Sequence, residues 1–442
     1  MDSSGSMLVP PPGGRVRRVL AVIDWLEVGG AQHHLLWLAS GLARAGYRFL
    51  VATSGNEALT AVYRRAGVPV LTLTQRSIKH RLSPAFLARL LRLVRRGQFD
   101  LIHGHLHSAS VCAAMAARAT GTPLVLTHHS MNTWRPAWQR VLGRWADRQA
   151  DAVIAVATNI AAALQRSAVR ARVIPNGVVV PERVWSPEEV AAGRQRFGLP
   201  HGAYVLSFVG RFTPDKNPLL FMEAAALVAA RCAQAHFFLV GDGPLRPAVE
   251  RRSRALGLER RMVFVGFQPN AAELHPVADV LVLSSDSEGA PLVVLEAMAR
   301  ARPVVATAVG DVPLQIADGE TGFVVTPRDP HALAEALLTL TDPALRQRFG
   351  AAARARVQCR FAVERWLART AAVYQEVLAR RGVAPPPTWP SAAEVLPYSA
   401  APPVAAVDGQ ERAVVAQERL YHPVDPEARP YSGASPLSQP GA

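Results

Sequence analysis

Glu296 follows Glu288 by eight positions in the stretch Ser285-Asp286-Ser287-Glu288-Gly289-Ala290-Pro291-Leu292-Val293-Val294-Leu295-Glu296. Val280 to Leu283 reads as a buried strand, Glu288-Gly289 as its loop, and Leu292 onward as a helix. Both carboxylates can therefore face one ligand lying across the helix start. An acid inside an otherwise apolar helix needs a partner to offset desolvation, and the backbone N–H groups of Gly289, Ala290 and Leu292 are open there. A second group is Gly210-Arg211-Phe212-Thr213-Pro214-Asp215-Lys216-Asn217. Two cations five residues apart in a strand-to-helix loop can bracket a diphosphate, Arg211 with its bidentate fork and Lys216 as a point charge. Only Lys79 and Lys216 are lysines among 49 basic residues, so a lysine at 216 departs from the chain's strong preference for arginine. Gly29-Gly30-Ala31-Gln32 precedes a helical pattern; glycine there lets backbone approach a ligand at a helix N-terminus that favours an anion. The spacing is not the dinucleotide fingerprint G-x-G-x-x-G.

His103-Gly104-His105-Leu106-His107 and His128-His129 fall at two strand ends, which raises metal hydrolysis as an alternative. Such a site would want a carboxylate ligand, and Asp100 sits at the wrong end of its strand, so no metal centre is read. Cys112, Cys232 and Cys359 are distant, odd in number and without a C-x-x-C pair, which excludes a disulfide framework and fits a reducing, cytoplasmic compartment.

Two series of short apolar runs must position these groups. The first comprises 19–23, 49–52, 68–73, 101–103, 124–127, 153–156 and 172–174; the second 204–209, 236–240, 262–265, 280–283, 303–306 and 322–325. Runs that are apolar throughout, separated by helical stretches, suit parallel strands covered on both faces. At roughly 100–200 residues per domain, 442 residues accommodate two such α/β domains. Expected boundaries are a first domain at 15–181, a second at 182–361, a final helix at 362–383, and disordered Pro-rich ends at 1–14 and 384–442. In open α/β sheets ligands lie beyond the carboxyl ends of strands, so two domains facing each other make a central cleft.

The net charge of +15 is concentrated before the tail, because the segment from Pro385 onward holds six acids against three arginines. A basic body attracts nucleic acid, anionic lipid or a phosphorylated substrate; no RNP or zinc-finger pattern supports nucleic acid. No run reaches the roughly 18–20 apolar residues of a membrane span. Between Arg76 and Arg96, seven basic residues interleave with Ile78, Leu82, Phe86, Leu87, Leu90, Leu91 and Val94. That pattern fits either a basic amphipathic helix resting on the inner face of an anionic membrane or an ordinary domain helix with a solvated arginine face.

Taken in order, these motifs resemble glycosyltransferase family 4, retaining enzymes of the GT-B fold. The likeness rests on Gly29-Gly30-Ala31, Asp100 to His105, Thr127 to Ser130, Pro175-Asn176-Gly177-Val178, Gly210-Arg211 with Lys216, and Gly241-Asp242-Gly243. It continues through Glu288-x7-Glu296, Pro303 to Thr307, Gly310 and Asp318 to Gly322, and spans about residues 17–380. The resemblance implies two Rossmann-like domains, the second binding a nucleotide diphosphate sugar, with the final helix crossing back to the first. Arg211 and Lys216 would hold the diphosphate in place of a metal, and Glu296 the ribose. Glu288, with the amides of Gly289, Ala290 and Leu292, would position the sugar. Gly30 would admit the donor phosphates and acceptor, and His129 and His105 would project toward the sugar. It further implies a UDP- or GDP-hexose as co-substrate, no other cofactor, and a glycan, glycolipid or lipid-linked acceptor. A silent nucleotide-sugar binder and a sugar-nucleotide epimerase share the expected shape. Two departures stand out: Asp311 and Leu314 where relatives often have Gly and Glu, and Gln32 where Glu is frequent.

Overall fold

The computed structural model describes residues 16–27, 29–55, 59–79, 81–130 and 135–383. Both expected disordered ends lie outside the described residues. The first parallel sheet contains β1 (Arg17–Ile23), β2 (Tyr47–Ser54), β3 (Val70–Thr74), β4 (Leu101–His105), β5 (Leu124–His128), β6 (Ala152–Ala155) and β7 (Ala171–Val173), in the order β3-β2-β1-β4-β5-β6-β7. The second contains β8 (Tyr204–Val209), β9 (Ala235–Val240), β10 (Met262–Gly266), β11 (Val280–Leu283), β12 (Val304–Thr307) and β13 (Gly322–Val325), in the order β10-β9-β8-β11-β12-β13. Each is a doubly wound Rossmann-like sheet that reverses direction once, between β1 and β4 and between β8 and β11. At such a switch point adjacent strands send their loops apart and open a crevice at the carboxyl edge. Ile23 pairs with His105 there, so the Gly29-Gly30 loop and the histidines start from neighbouring strand ends.

Both strand series form because their apolar runs are covered on both faces; Val19 to Ile23 and Val304 to Ala306 are fully buried. A helix at Pro187–Arg196 begins where Ser186 and Glu189 form a capping box, with Pro187 in its first turn. The final helix, Val363–Arg380, does cross back. Trp366, Leu367, Tyr374 and Leu378 enter the core of the first sheet beside Leu35, Leu38 and Tyr47. The Tyr374 hydroxyl is 2.6 Å from His103 Nδ1.

Helix Pro84–Gly97 carries the basic amphipathic segment. Phe86, Leu90 and Val94 are buried against the helix His107–Thr120, in one core with Ile78, while Leu82, Leu87 and Leu91 pack on its margin. Its apolar stripe therefore belongs to the protein interior, and only the arginine face is left for a lipid surface.

Candidate active site

The loops after β8 and β11 meet because those strands are neighbours. Asp286 N–H donates to the Asp215 carbonyl at 2.9 Å, and Ser284 Oγ donates to the Asn217 carbonyl at 2.9 Å. This clamp brings Lys216 Nζ to both oxygens of Glu288, at 2.7 and 2.8 Å, with Ser285 Oγ donating to Oε1 at 2.7 Å. The Glu288 side chain is only 8% exposed and that of Lys216 24%, so the pair is mostly withdrawn from water. Arg211, in contrast, is exposed and has no ion pair or hydrogen bond from its side chain among the described residues. Gly241 holds the backbone that supports it. Its φ is +133°, and a Cβ there would lie 1.9 Å from the Gly210 carbonyl oxygen, so only glycine allows this approach.

Two helix N-termini converge across the cleft. Helix Gly30–Leu42 starts at Gly29 and helix Leu292–Ala299 at Pro291; neither start has a side-chain cap or an acid in its first turn. A Cβ on Gly30 would lie 3.7 Å from Leu292 Cδ1. Each helix end carries a partial positive charge and open N–H groups, and their meeting creates a place for an anion.

Glu296 lies one turn into the second of these helices. Its nearest ionic neighbour is His275 Nε2 at 3.9 Å. Burial pushes the carboxyl upward, but His275, His33 and Arg300 outweigh it and hold Glu296 below the usual range, so it stays ionised. The loop residues between are anchored to the first half of the chain. Asn176 Nδ2 donates to the Ala290 carbonyl at 2.9 Å, Asn159 Nδ2 to the Glu288 carbonyl at 3.1 Å, and a Cβ on Gly289 would lie 3.4 Å from the His129 carbonyl oxygen.

His129 and His105 do come together, His105 Nδ1 lying 3.1 Å from His129 Nε2. His34 and His103 join them: the His34 ring is 4.7 Å from that of His129, and His103 is 4.1 Å from His105. Burial drives all four imidazoles toward the neutral form, His34 and His103 down to about 3 and the other two well below the ordinary histidine value. At neutral pH none supplies a cation.

Sequence reasoning missed the linking residues. Asn159, His34 and His275 belong to no motif, and Asn176 was visible only as part of the Pro175-Asn176-Gly177-Val178 motif, with no contact assigned to it. Asp311, a departure from the family's pattern, turns out to bridge the halves: its carboxylate accepts from Thr158 N–H at 2.8 Å and from the Thr158 hydroxyl. It thereby places a negative charge at the N-terminus of helix Thr158–Gln165, while Asp311 N–H donates to the Gly289 carbonyl at 2.7 Å. Beside it, Gly310 has φ +55°, and a Cβ would fall 2.3 Å from that same carbonyl oxygen. Gly310→Ala is expected to push the Gly289 loop aside, cost about 1–3 kcal/mol and weaken ligand binding; a thermal melt equal to the wild type would contradict this.

These features describe two Rossmann-like sheets with uncapped helix ends at their carboxyl edges. Residues 28–180 match the description "Glycosyltransferase Family 4" and residues 203–342 "Glycosyl transferases group 1". The chain belongs to glycosyltransferase family 4 and is a glycosyltransferase with a nucleotide-sugar site. It is 31% identical over 326 residues to the D-inositol 3-phosphate glycosyltransferase of Thermobispora bispora, covering 67% of this chain and 76% of that one. Against the N-acetyl-alpha-D-glucosaminyl L-malate synthase of Bacillus anthracis it is 27% identical over 377 residues, covering 81% and 97%. Among solved structures, Anabaena HepE in complex with UDP and glucose superposes with a TM-score of 0.74 at 25% identity, covering 81% of this chain and 100% of that one.

Proposed function

We propose that this protein transfers a hexose from a UDP-sugar to a hydroxyl of an anionic acceptor, with retention of anomeric configuration and without a metal ion. The observation that carries the reading is the convergence of two uncapped helix N-termini at Gly30 and Leu292, with the Lys216–Glu288 pair in the loop that leads into the second. Breaking the bond between the anomeric carbon and the diphosphate oxygen leaves positive charge on the sugar and negative charge on the diphosphate. Fixed cations and helix ends stabilise the second charge, which is the work a divalent ion would otherwise do. Arg211 reaches the diphosphate with its free fork, and Lys216 holds it while orienting Glu288. Glu288 and the amides of Gly289, Ala290 and Leu292 hold the sugar hydroxyls, and ionised Glu296 accepts from both ribose hydroxyls.

No side-chain nucleophile is needed. The bond opens to an oxocarbenium–phosphate ion pair, and the departing phosphate oxygen takes the acceptor's proton as its hydroxyl attacks the same face. Neutral His129 lines the acceptor side, backed by the buried His105, without adding positive charge near the oxocarbenium.

UDP is favoured because HepE, similar over 81% of the chain, was solved with UDP and glucose. The acceptor class rests on two points. The named relatives act on D-inositol 3-phosphate and form an L-malate conjugate, both anionic, and in this chain Lys79 and Arg135 lie near Asp24 at the carboxyl edge of the first sheet. There Asp24, fully buried, is pushed up to about 7 by desolvation, partly offset by Ala109 N–H, Arg135 and Lys79; Lys79 Nζ lies 4.6 Å from the Trp25 ring centre. A phosphorylated polyol and the phosphate of a lipid-linked sugar share this chemistry. No described helix is long and apolar enough to cross a membrane; the reading places the enzyme in the cytoplasm, with the arginine face of helix Pro84–Gly97 as its contact for a lipid-borne acceptor. The presence of Arg211, Lys216, Glu288 and Glu296 together argues against a silent binder.

Thermal shifts with UDP, GDP, ADP and TDP, each without metal, test the donor. UDP is expected to raise the melting temperature, and Glu296→Ala to abolish that rise. Stabilisation by another nucleotide alone would overturn the base, and an undiminished UDP response in the variant would overturn the role of Glu296.

A further inference from the structure

The geometry points to a site for one first-row transition ion of the Zn2+ class at His34, His105 and His129, whose occupation shuts the enzyme down. One ring nitrogen from each of these residues lies within 4.8 Å of the others. His105 Nδ1 and His129 Nε2 are already 3.1 Å apart, close to the ~3.3 Å that separates two nitrogens bound tetrahedrally to zinc at about 2.0–2.1 Å. Replacing their shared proton with an ion needs little movement, and the half-buried His129 can supply it.

The third ligand is preset. Asn176 Nδ2 donates to the Ala290 carbonyl, so Asn176 Oδ1 is the acceptor facing His34 Nδ1 at 3.0 Å. His34 must then carry its proton on Nδ1, which leaves the Nε2 lone pair free. An imidazole whose other nitrogen donates to a carbonyl-type oxygen is the usual arrangement of a metal-binding histidine. With the ion on His105 Nδ1, the buried Nε2 of the same ring carries the proton and has no hydrogen-bond partner, so the geometry of the three facing nitrogens carries the site. Three neutral nitrogen ligands with no carboxylate suit Zn2+ or Co2+ rather than the oxygen-seeking Mg2+ or Ca2+, and they leave a fourth position for water.

The ligands come from the helix Gly30–Leu42, the end of β4 and the residue after β5. Their surroundings connect directly to the donor loop through the Asn176–Ala290 bond and the approach of Gly289 to the His129 carbonyl. A bound dication draws His129 out of the cleft and adds positive charge beside a sugar that itself becomes cationic. The inhibition rests on the transferase reading; the binding does not.

Titrating the full-length protein with Co2+ alone should give a tetrahedral visible absorption that saturates at one equivalent and is displaced by Zn2+. His34→Gln should abolish it, and Asn176→Ala should weaken Co2+ binding about 10–100-fold. Absorption that survives in His34→Gln would mean adventitious binding at surface histidines and would overturn the site. A measurement on the wild type alone guards against a variant that fails to fold: 15N-histidine spectra should show three imidazoles shifting together at one equivalent of Zn2+, and shifts confined to exposed histidines would overturn the proposal. In transfer assays one equivalent of Zn2+ should remove most wild-type activity. Retained activity with Co2+ and Zn2+ demonstrably bound would overturn the inhibition alone.

Discussion

Arg211→Ala is expected to lower kcat by about 10²–10³-fold while leaving the melting temperature within a degree or so of the wild type. The magnitude is that of deleting one fixed donor to a charge that develops in a transition state. The absence of a stability cost follows from its surroundings, because the Arg211 side chain is exposed and makes no ion pair or hydrogen bond among the described residues. Exposed side chains away from special backbone features usually change stability by about 0.5 kcal/mol or less. Steady-state kinetics with the donor and a working acceptor, paired with a melt, separates the two effects. A kcat within about threefold of wild type would remove Arg211 from the diphosphate.

Lys216→Ala should behave differently, since its ammonium both faces the ligand and neutralises a shielded carboxylate. Removing it leaves Glu288, 8% exposed, with Ser285 as its remaining side-chain donor. Breaking a fully buried pair costs about 3–5 kcal/mol. The 24% exposure of Lys216 lets water reach the lysine end, so about 2 kcal/mol is expected here. Activity should fall by at least about 10³-fold, because a diphosphate contact and the placement of Glu288 go together. The double variant Lys216→Ala/Glu288→Gln should recover most of the lost stability, its neutral amide no longer needing a counter-charge, yet remain inactive. Chemical denaturation and kinetics on the three variants form one cycle. A double variant no more stable than Lys216→Ala would show that the pair does not hold the loop, and an active Lys216→Ala enzyme would place the leaving-group charge elsewhere.

Gly310→Ala, the UDP response of Glu296→Ala and the Co2+ titration of His34→Gln probe the loop, the ribose contact and the histidine cluster separately. Their readouts differ, so failure of one leaves the others interpretable.

By itself the sequence determined the elements and their order. Continuous apolar runs between helical stretches specify parallel strands buried on both sides; β13 at Gly322–Val325 coincides with its expected range, and the final helix, Val363–Arg380, starts one residue late and stops three short of the expected 362–383. The residues proposed for the donor side, Arg211, Lys216, Glu288 and Glu296, were legible because they fall in two short stretches of chain whose spacing is a local property. What the tertiary structure decided are the contacts between residues far apart along the chain. Asp311 reads locally as a departure from a glycine pair, and its bond to Thr158 spans 153 positions. Whether the apolar stripe of helix Pro84–Gly97 meets lipid or protein is set by the helix His107–Thr120 packed against it, which periodicity does not record. The histidines were legible as strand-end imidazoles, but His34 sits on another helix, and only the fold carries it to His105 and His129. Periodicity and turn chemistry are short-range constraints, whereas the site is assembled where two switch points face each other, and that juxtaposition comes from the burial of both sheets and the return of the last helix to the first.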